Sequence, residues 1–239
     1  MQAVFFISDL HLQPNGSQAD THLDGFIRSH LPGKNNTLYI LGDYFDFWIG
    51  DDGVDKLGYN EQLEVIRHLT DKHNTVYFMH GNRDFLIGAQ FCEATGAKLL
   101  NDPTIVELQG KRCLLKHGDD LCTDDVEHQK FRVMTRDPGW KRAILSKSVD
   151  ERLAMASQMR QMSGSSYKPS EIMDVNEDCV EQIFASQAID ILIHGHTHRP
   201  AIHDYLIDNQ SRQRIVLGDW HKGASYLKVD DSGFNLVHQ

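Results

Sequence analysis

Five short stretches of the chain, at 4–7, 37–41, 75–79, 112–115 and 189–193, are almost unbroken runs of aliphatic, aromatic and β-branched residues. Runs that short and continuous predict strands buried on both faces, as in a sheet covered by helices. Between them, over roughly 21–30, 59–73 and 85–95, apolar positions recur at helical spacing. Strand and helix therefore alternate, which predicts a layered α/β architecture. Gln109, Gly110 and Lys111 read as a hairpin turn, and 214–217 and 226–229 as further strands. The sheet is thus expected to be mixed, or to divide into two packed sheets. No internal repeat or low-complexity linker interrupts residues 1–239, which read as a single domain.

One stretch departs from the rest. Between 128 and 168 stand nine basic residues (Lys130, Arg132, Arg136, Lys141, Arg142, Lys147, Arg152, Arg160 and Lys168) and three acidic ones (Asp137, Asp150 and Glu151). The segment carries +6 in a chain of net charge −10, so the remainder carries −16. Phe131, Trp140, Ile144, Leu145, Leu153, Met155, Met159 and Met162 recur through it at mostly helical spacing, broken at Asp137, Pro138 and Gly139. The pattern predicts helices inserted into the main fold at about 126–180, with a basic face and an apolar face. A solvated charged face over a core stripe fits the same pattern. The contrast of sign with the rest of the chain is what points further, to an anionic membrane surface.

Composition narrows the class. With 239 residues and 27.3 kDa, the chain can bury one sizeable core. Its 40% apolar and 24% charged residues exclude disorder, collagen and coiled coil. The acidic balance disfavours non-specific nucleic-acid binding. Fourteen histidines are many for this length, and imidazole is the commonest metal ligand. The four cysteines, Cys92, Cys113, Cys122 and Cys179, form no C-x-x-C pair and suit a reducing compartment. The N-terminus has an acid at position 9 and no basic region before a long apolar stretch, unlike a signal peptide, and no run is long enough for a membrane span. A cytoplasmic location is expected.

Each of the five predicted strands runs into polar residues of metal-ligand type: Asp9 and His11, then Asp43, then Asn82 and Asp84, then His117, then His196 and His198. In α/β sheets ligands collect at the carboxyl ends of strands, so five separated fragments can converge on one crevice. Asp9 and His11 stand at i and i+2, as do His196 and His198, so extended backbone would turn each pair to one side. Asp43 follows Gly42, which permits close backbone approach, and a carboxylate there can bridge two ions. Asn82 adds a neutral oxygen where an anionic phosphate must also bind. The donors are all oxygen or nitrogen, which favours Mn²⁺, or Fe²⁺, over structural Zn²⁺.

Asp-x-His, Gly-Asp-x-x-Asp, Gly-Asn-x-Asp, His-Gly and Gly-His-x-His, in this order from Asp9 to His198, resemble the calcineurin-like metallophosphoesterase superfamily over nearly the whole chain. The wording around 41–52, 80–86, 117–125, 172–176 and 194–200 is similar to that of the UDP-2,3-diacylglucosamine diphosphatases of Gram-negative lipid A synthesis. The resemblance implies a sandwich of two mixed β-sheets flanked by helices, with a helical cap insert. It also implies hydrolysis of the pyrophosphate of UDP-2,3-diacylglucosamine to UMP and 2,3-diacylglucosamine 1-phosphate, by metal-activated water attacking the α phosphorus. The place would be the cytoplasmic face of the inner membrane, on whose surface the chain would act as a peripheral protein.

Carried over residue by residue, the resemblance gives one Mn²⁺ to Asp9, His11, Asp43 and His198, and the other to Asp43, Asn82, His117 and His196. Arg83 stands where many of these phosphatases have a His; it cannot donate a proton at ordinary pH, but it can clamp a phosphate. Asp84 would orient Asn82 or His117 from behind. Asn82, Arg83, Asp125, His128, Arg160, Ser163, Ser165, Lys168 and His196 would contact substrate, His128 replacing an expected Tyr. His80 and His194 read as packed histidines, Trp48 as core or substrate lining, Asp51 and Asp52 as a solvated turn, and His203, His221 and His238 as surface or structural positions. Two other functions compete: a dinuclear phosphoesterase of soluble nucleotides or phosphodiesters, and a non-catalytic scaffold that keeps the fold. The basic amphipathic insert speaks against the first and the complete ligand set against the second.

Overall fold

The computed structural model describes residues 3–33, 35–165 and 173–238, with the side chains of 160–165 left out. Strands β1 (Val4–Ile7), β2 (Thr37–Ile40), β3 (Thr75–Met79) and β4 (Lys98–Leu100) lie side by side and parallel. β10 (Ser225–Asp230) and β11 (Gly233–His238) extend this sheet antiparallel from β1, in the order β11-β10-β1-β2-β3-β4. The second sheet runs β5-β6-β7-β9-β8. Its centre of β6 (Lys111–Leu115), β7 (Ile191–His194) and β9 (Gln210–Val216) is parallel, and its outer strands β5 (Thr104–Leu108) and β8 (Ala201–Ile207) are antiparallel. Both sheets are mixed, and the α/β sandwich expected from the sequence is what the chain forms.

The continuous apolar runs are explained by a three-sided core. Phe6, Tyr39, Leu41 and Met79 of the first sheet meet Cys113, Leu115, Ile193 and Ile215 of the second. The alternate residues Phe5, Ile7, Leu38, Ile40, Val76 and Phe78 face the other way. They pack under α1 (Gln18–His30), α3 (Asn60–Asp71) and α4 (Ala89–Thr95) through Leu23, Phe26, Ile66, Leu69 and Phe91. A short helix, α2 (Val54–Leu57), precedes α3. The expected helix at 85–95 begins only at Ala89, after a turn.

Among the described residues, four helices stand between β6 and β7: α5 (Val126–Arg136), α6 (Pro138–Leu145), α7 (Val149–Ser165) and α8 (Glu177–Ser186). α8 lies on the outer face of the second sheet, with Val180 and Phe184 against Leu114 and Leu192. α5, α6 and α7 instead join the first core through Phe131, Trp140, Ile144 and Leu153.

The basic face expected of this segment is turned largely inward. Arg132 pairs with Asp119 (3.0 Å) and Asp102 (3.4 Å). Arg136 donates to the carbonyls of His80 and Gly81, and Lys141 to that of Phe85. Arg152, 3% exposed, forks onto both oxygens of Asp52 and donates to the Ile49 carbonyl. Asp102, Asp119 and Asp52 therefore help dock α5 and α7, which net charge alone could not reveal. The same contacts correct the reading of Asp51 and Asp52 as a solvated turn: Asp52 anchors α7, while Asp51 accepts from Trp48 Nε1 and from the backbone N–H groups of Gly88 and Phe91. Trp48 is core, 2% exposed.

Candidate active site

The loops that follow β1, β2, β3, β6 and β7 meet at one end of the sandwich. Backbone hydrogen bonds zip them together: Asp9 N–H to Gly42 O, His11 N–H to Asp43 O, and Gly195 N–H to His117 O. Asp9, Asp43 and His117 are buried beneath them at 0%, 2% and 0% exposure.

Extended backbone, expected at Asp9, His11, His196 and His198, is not what turns these side chains inward. All four residues are left-handed, with φ of 56°, 49°, 67° and 57°, and Asp43 has φ 52°. A non-glycine residue held there costs on the order of 1–3 kcal/mol, and such strain gathers at functional sites because a rigid frame can sustain it. The frame here needs close backbone approach. A Cβ on Gly81 would collide with the Asp43 carboxylate, one on Gly195 with Ser8 and Asp9, and one on Gly42 would stand 2.5 Å from Gly81 N and 2.7 Å from His117 Nδ1.

Two groups of donor atoms result. In the first, Asp9 Oδ1 faces His198 Nε2 at 3.3 Å and His11 Nε2 at 4.0 Å, and the two imidazole nitrogens are 3.2 Å apart. Asp9 Oδ2 is already engaged by Ser8 Oγ–H and His196 N–H, but Oδ1 is buried with no well-formed hydrogen bond among the described residues. In the second, Asn82 Oδ1 lies 3.0 Å from His117 Nε2 and 2.9 Å from His196 Nδ1. Asp43 stands between the groups, Oδ1 3.8 Å from His117 Nε2 and Oδ2 4.0 Å from His11 Nε2. By proximity alone, Asp9 with His11 and His198, and Asp9 with Asp43 and His117, could each hold a metal ion. Asp9 is common to both sets; Asp9 Oδ2 and Asp43 Oδ1 each already accept a hydrogen bond, but only Asp43 lies with one oxygen toward His117 and the other toward His11.

The electrostatics suit cation binding. Burial pushes His11 down to about 4 and His196 well below its ordinary value, leaving neutral imidazoles with a lone pair to give. Burial works against charge on His117 and His198 as well, yet Asp43, Asp119 and Asp9 hold His117 up at about 9 and Asp9 raises His198, so a bound cation would have to displace a proton from each. His117 Nδ1 lies 2.8 Å from Leu41 O, so it carries the proton and donates, which leaves Nε2 toward the site. Two buried carboxylates, an orphaned carboxylate oxygen and converging nitrogen lone pairs, with no thiolate, fit a pair of divalent ions that prefer oxygen and nitrogen ligands.

The remaining expected residues divide. The backbone N–H of Arg83 donates to Asp43 Oδ1, and its buried Nε has no hydrogen-bond partner among the described residues. Its charge adds to the burial that lowers His11 and partly offsets the burial that raises Asp43, so the guanidinium is near both donor groups. Asp84 does not bond the side chains of Asn82 or His117. Its two oxygens accept the backbone N–H groups of Gly81 and Tyr44, tying the β2 and β3 loops together. Asp125 caps α5, accepting from His128 N–H, and His128 lies over His196 with ring centroids 5.1 Å apart. Arg160, Ser163, Ser165 and Lys168 lie outside the described side chains. His80 and His194 are packed histidines, on the carbonyls of Ile87 and Gly195.

Three site residues were not foreseen. Asp119, 1% exposed, lies among His128, Arg132 and Arg136 and joins the metal-donor loop to α5. Asp219 Oδ2 is 3.7 Å from His198 Nδ1, and His221 stacks on His11 at 6.1 Å. Asp219 follows the end of β9, so the strand-end pattern applied to one more strand would have found it.

The calcineurin-like phosphoesterase family model matches residues 3–200. Two curated relatives are named UDP-2,3-diacylglucosamine hydrolase: one from Nitrosococcus oceani, 43% identical over 98% of this chain and 94% of its own length, and one from Chromohalobacter salexigens, 46% identical over 94% and 92%. Among solved structures, a novel archaeal phosphodiesterase superposes with a TM-score of 0.50 at 12% identity over 99% of each chain, a likeness of fold alone.

Proposed function

The chain belongs to the calcineurin-like phosphoesterase family, and from that premise we propose that it hydrolyses the pyrophosphate of UDP-2,3-diacylglucosamine to UMP and 2,3-diacylglucosamine 1-phosphate, in lipid A synthesis. The observation that carries the chemistry is Asp43, with one carboxylate oxygen turned to His117 and the other to His11. In this reading Asp9, His11, Asp43 and His198 hold one divalent ion, and Asp43, Asn82, His117 and His196 the other, Mn²⁺ being the preferred metal. When bound, the pair supplies Lewis acidity and an activated water.

The protein's own groups do the rest. Arg83 holds the phosphate that is not attacked, through the planar fork of its guanidinium. No proton donor is required of it, because the leaving group of a pyrophosphate is itself a phosphate. His128 and His196, packed against each other with tilted rings, form the wall beside Asn82. Asp125 fixes the first turn of α5 and with it His128. α5, α6 and α7 make a cap over the acyl chains, with Arg160, Ser163, Ser165 and Lys168 as further substrate contacts.

The test is product analysis. Purified protein with Mn²⁺ should release UMP and the lipid monophosphate from UDP-2,3-diacylglucosamine, and a chelator should stop it. Turnover of soluble phosphodiesters without action on the lipid substrate would favour the competing phosphoesterase.

We also propose that the chain works on the inner-membrane surface. No helix among the described residues is long and apolar enough to cross a membrane. Exposed Val126, Val133, Met134 and Leu145 accompany the outward cations Lys130, Arg142 and Lys147 on α5, α6 and the turn after it. Lys130 is also paired with Glu127 at 2.7 Å, so Arg142 and Lys147 are counted, at about 2 kcal/mol near an anionic surface. Changing both to Gln should therefore weaken sedimentation with anionic vesicles about thirtyfold at low salt. Equal binding by parent and variant at low and high salt would show these cations to be merely solvated.

A further inference from the structure

Behind the candidate active site, a cavity of about 340 Å³ opens between the end of β4 and helices α5 and α6. No expected metal ligand lines it; Asn101 and Asp102 stand on one side, Arg132, Arg136 and Lys141 on the other. Arg132 is answered by Asp102 and Asp119. The other two cations are answered more weakly. Arg136 donates to two neutral carbonyls, His80 O at 3.2 Å and Gly81 O at 3.1 Å, and its nearest carboxylate contact is Asp119 at 3.9 Å. Lys141 Nζ donates to Phe85 O at 2.8 Å and has no ion pair among the described residues. Two half-buried cations facing one concave space, in a protein of net charge −10, form a site of the opposite sign to the whole.

We propose that this cavity binds a phosphate-type oxyanion, held by the guanidinium of Arg136 and the ammonium of Lys141. The forked donor and the point charge together match a tetrahedral dianion, and charge-assisted hydrogen bonds to both are stronger than those they now make to carbonyls. Burial, reinforced by the charge of Arg136, pushes Lys141 down to about 8, as expected of a cation lacking a counter-charge. The carbonyls that share these donors belong to the loop from His80 to Phe85, which also carries Asn82 and Arg83. An anion in the cavity competes with that loop for the same N–H groups, so its binding is felt at the active site.

Inorganic phosphate is the probe, titrated calorimetrically into the Mn²⁺-loaded parent and Asn101→Glu, and into Asp43→Ala and the double variant without added metal. Asn101 lines the cavity and is exposed. Two saturable events are expected in the parent. Asp43→Ala should keep the cavity event. Asn101→Glu should weaken it about tenfold or more, the cost of a like charge at close range. In rate measurements, phosphate should lower kcat of the parent as well as compete with substrate, and only the competitive part should survive in Asn101→Glu. A short-chain phosphatidic acid titrated in parallel distinguishes the sources of the group: saturation by phosphate assigns a free anion, and saturation by the lipid alone assigns a headgroup. No saturable binding of either in Asp43→Ala, or binding indifferent to Asn101→Glu, would overturn the proposal.

Discussion

Replacing Asp43 with Ala is expected to remove turnover and bound metal together. Asp43 is 2% exposed and has one oxygen on each side of the site, so its loss strips a ligand from both donor groups at once. Disturbing a residue that merely supports a ligand already costs about 10–100-fold in affinity or activity, and loss of a shared ligand should exceed about 10³-fold. Asp43 Oδ1 also accepts the Arg83 N–H, so the β3 loop loses a tie. Asp43→Asn, which keeps the shape and one oxygen, separates that structural effect from the electrostatic one. Metal content by atomic absorption and turnover should fall in step; a metal-loaded Asp43→Ala protein with parental activity would remove Asp43 from the bridging role.

Arg83→Ala should behave in the opposite way toward metal. The side chain contributes no ligand, and its buried Nε has no hydrogen-bond partner among the described residues, so the donor groups should keep their ions. What is lost is charge stabilisation of the phosphates in the transition state, worth roughly 10²–10³ in kcat when one preorganised donor is removed. Arg83→Lys should recover only part of this, because an ammonium cannot present two parallel donors. Metal lost along with activity would assign Arg83 to the frame of the site. An Arg83→Ala enzyme of unchanged kcat would leave the phosphate without its clamp.

How much of this was legible in the sequence depended on how each element is built. The five central strands announce themselves because both faces are covered, Phe6 against the second sheet and Phe5 against α1. β8 was missed for the converse reason: as an outer strand it alternates exposure, and Ala201–Ile207 mixes His203, Asp204 and Tyr205 with aliphatics. The polar residues at the strand ends were readable as a set of donors. The left-handed backbone that aims five of them was not, since it follows from loops braced by Asp84, Gly42, Gly81 and Gly195 rather than from any i, i+2 spacing. Nor could the charge of the α5 to α7 segment show its direction. A cation facing lipid and one facing Asp119 look alike in a sequence, and only packing puts Arg132 and Arg152 inside.

The central claim, that this site breaks the pyrophosphate by water attack on the phosphorus nearer the uridine, is tested most directly by hydrolysis of UDP-2,3-diacylglucosamine in ¹⁸O water with the Mn²⁺-loaded protein. Mass analysis should find one heavy oxygen in UMP and none in 2,3-diacylglucosamine 1-phosphate. Label in the lipid monophosphate, with UMP unlabelled, would mean that the substrate lies in the site the other way round and would contradict the assignment of Arg83 to the phosphate that is not attacked.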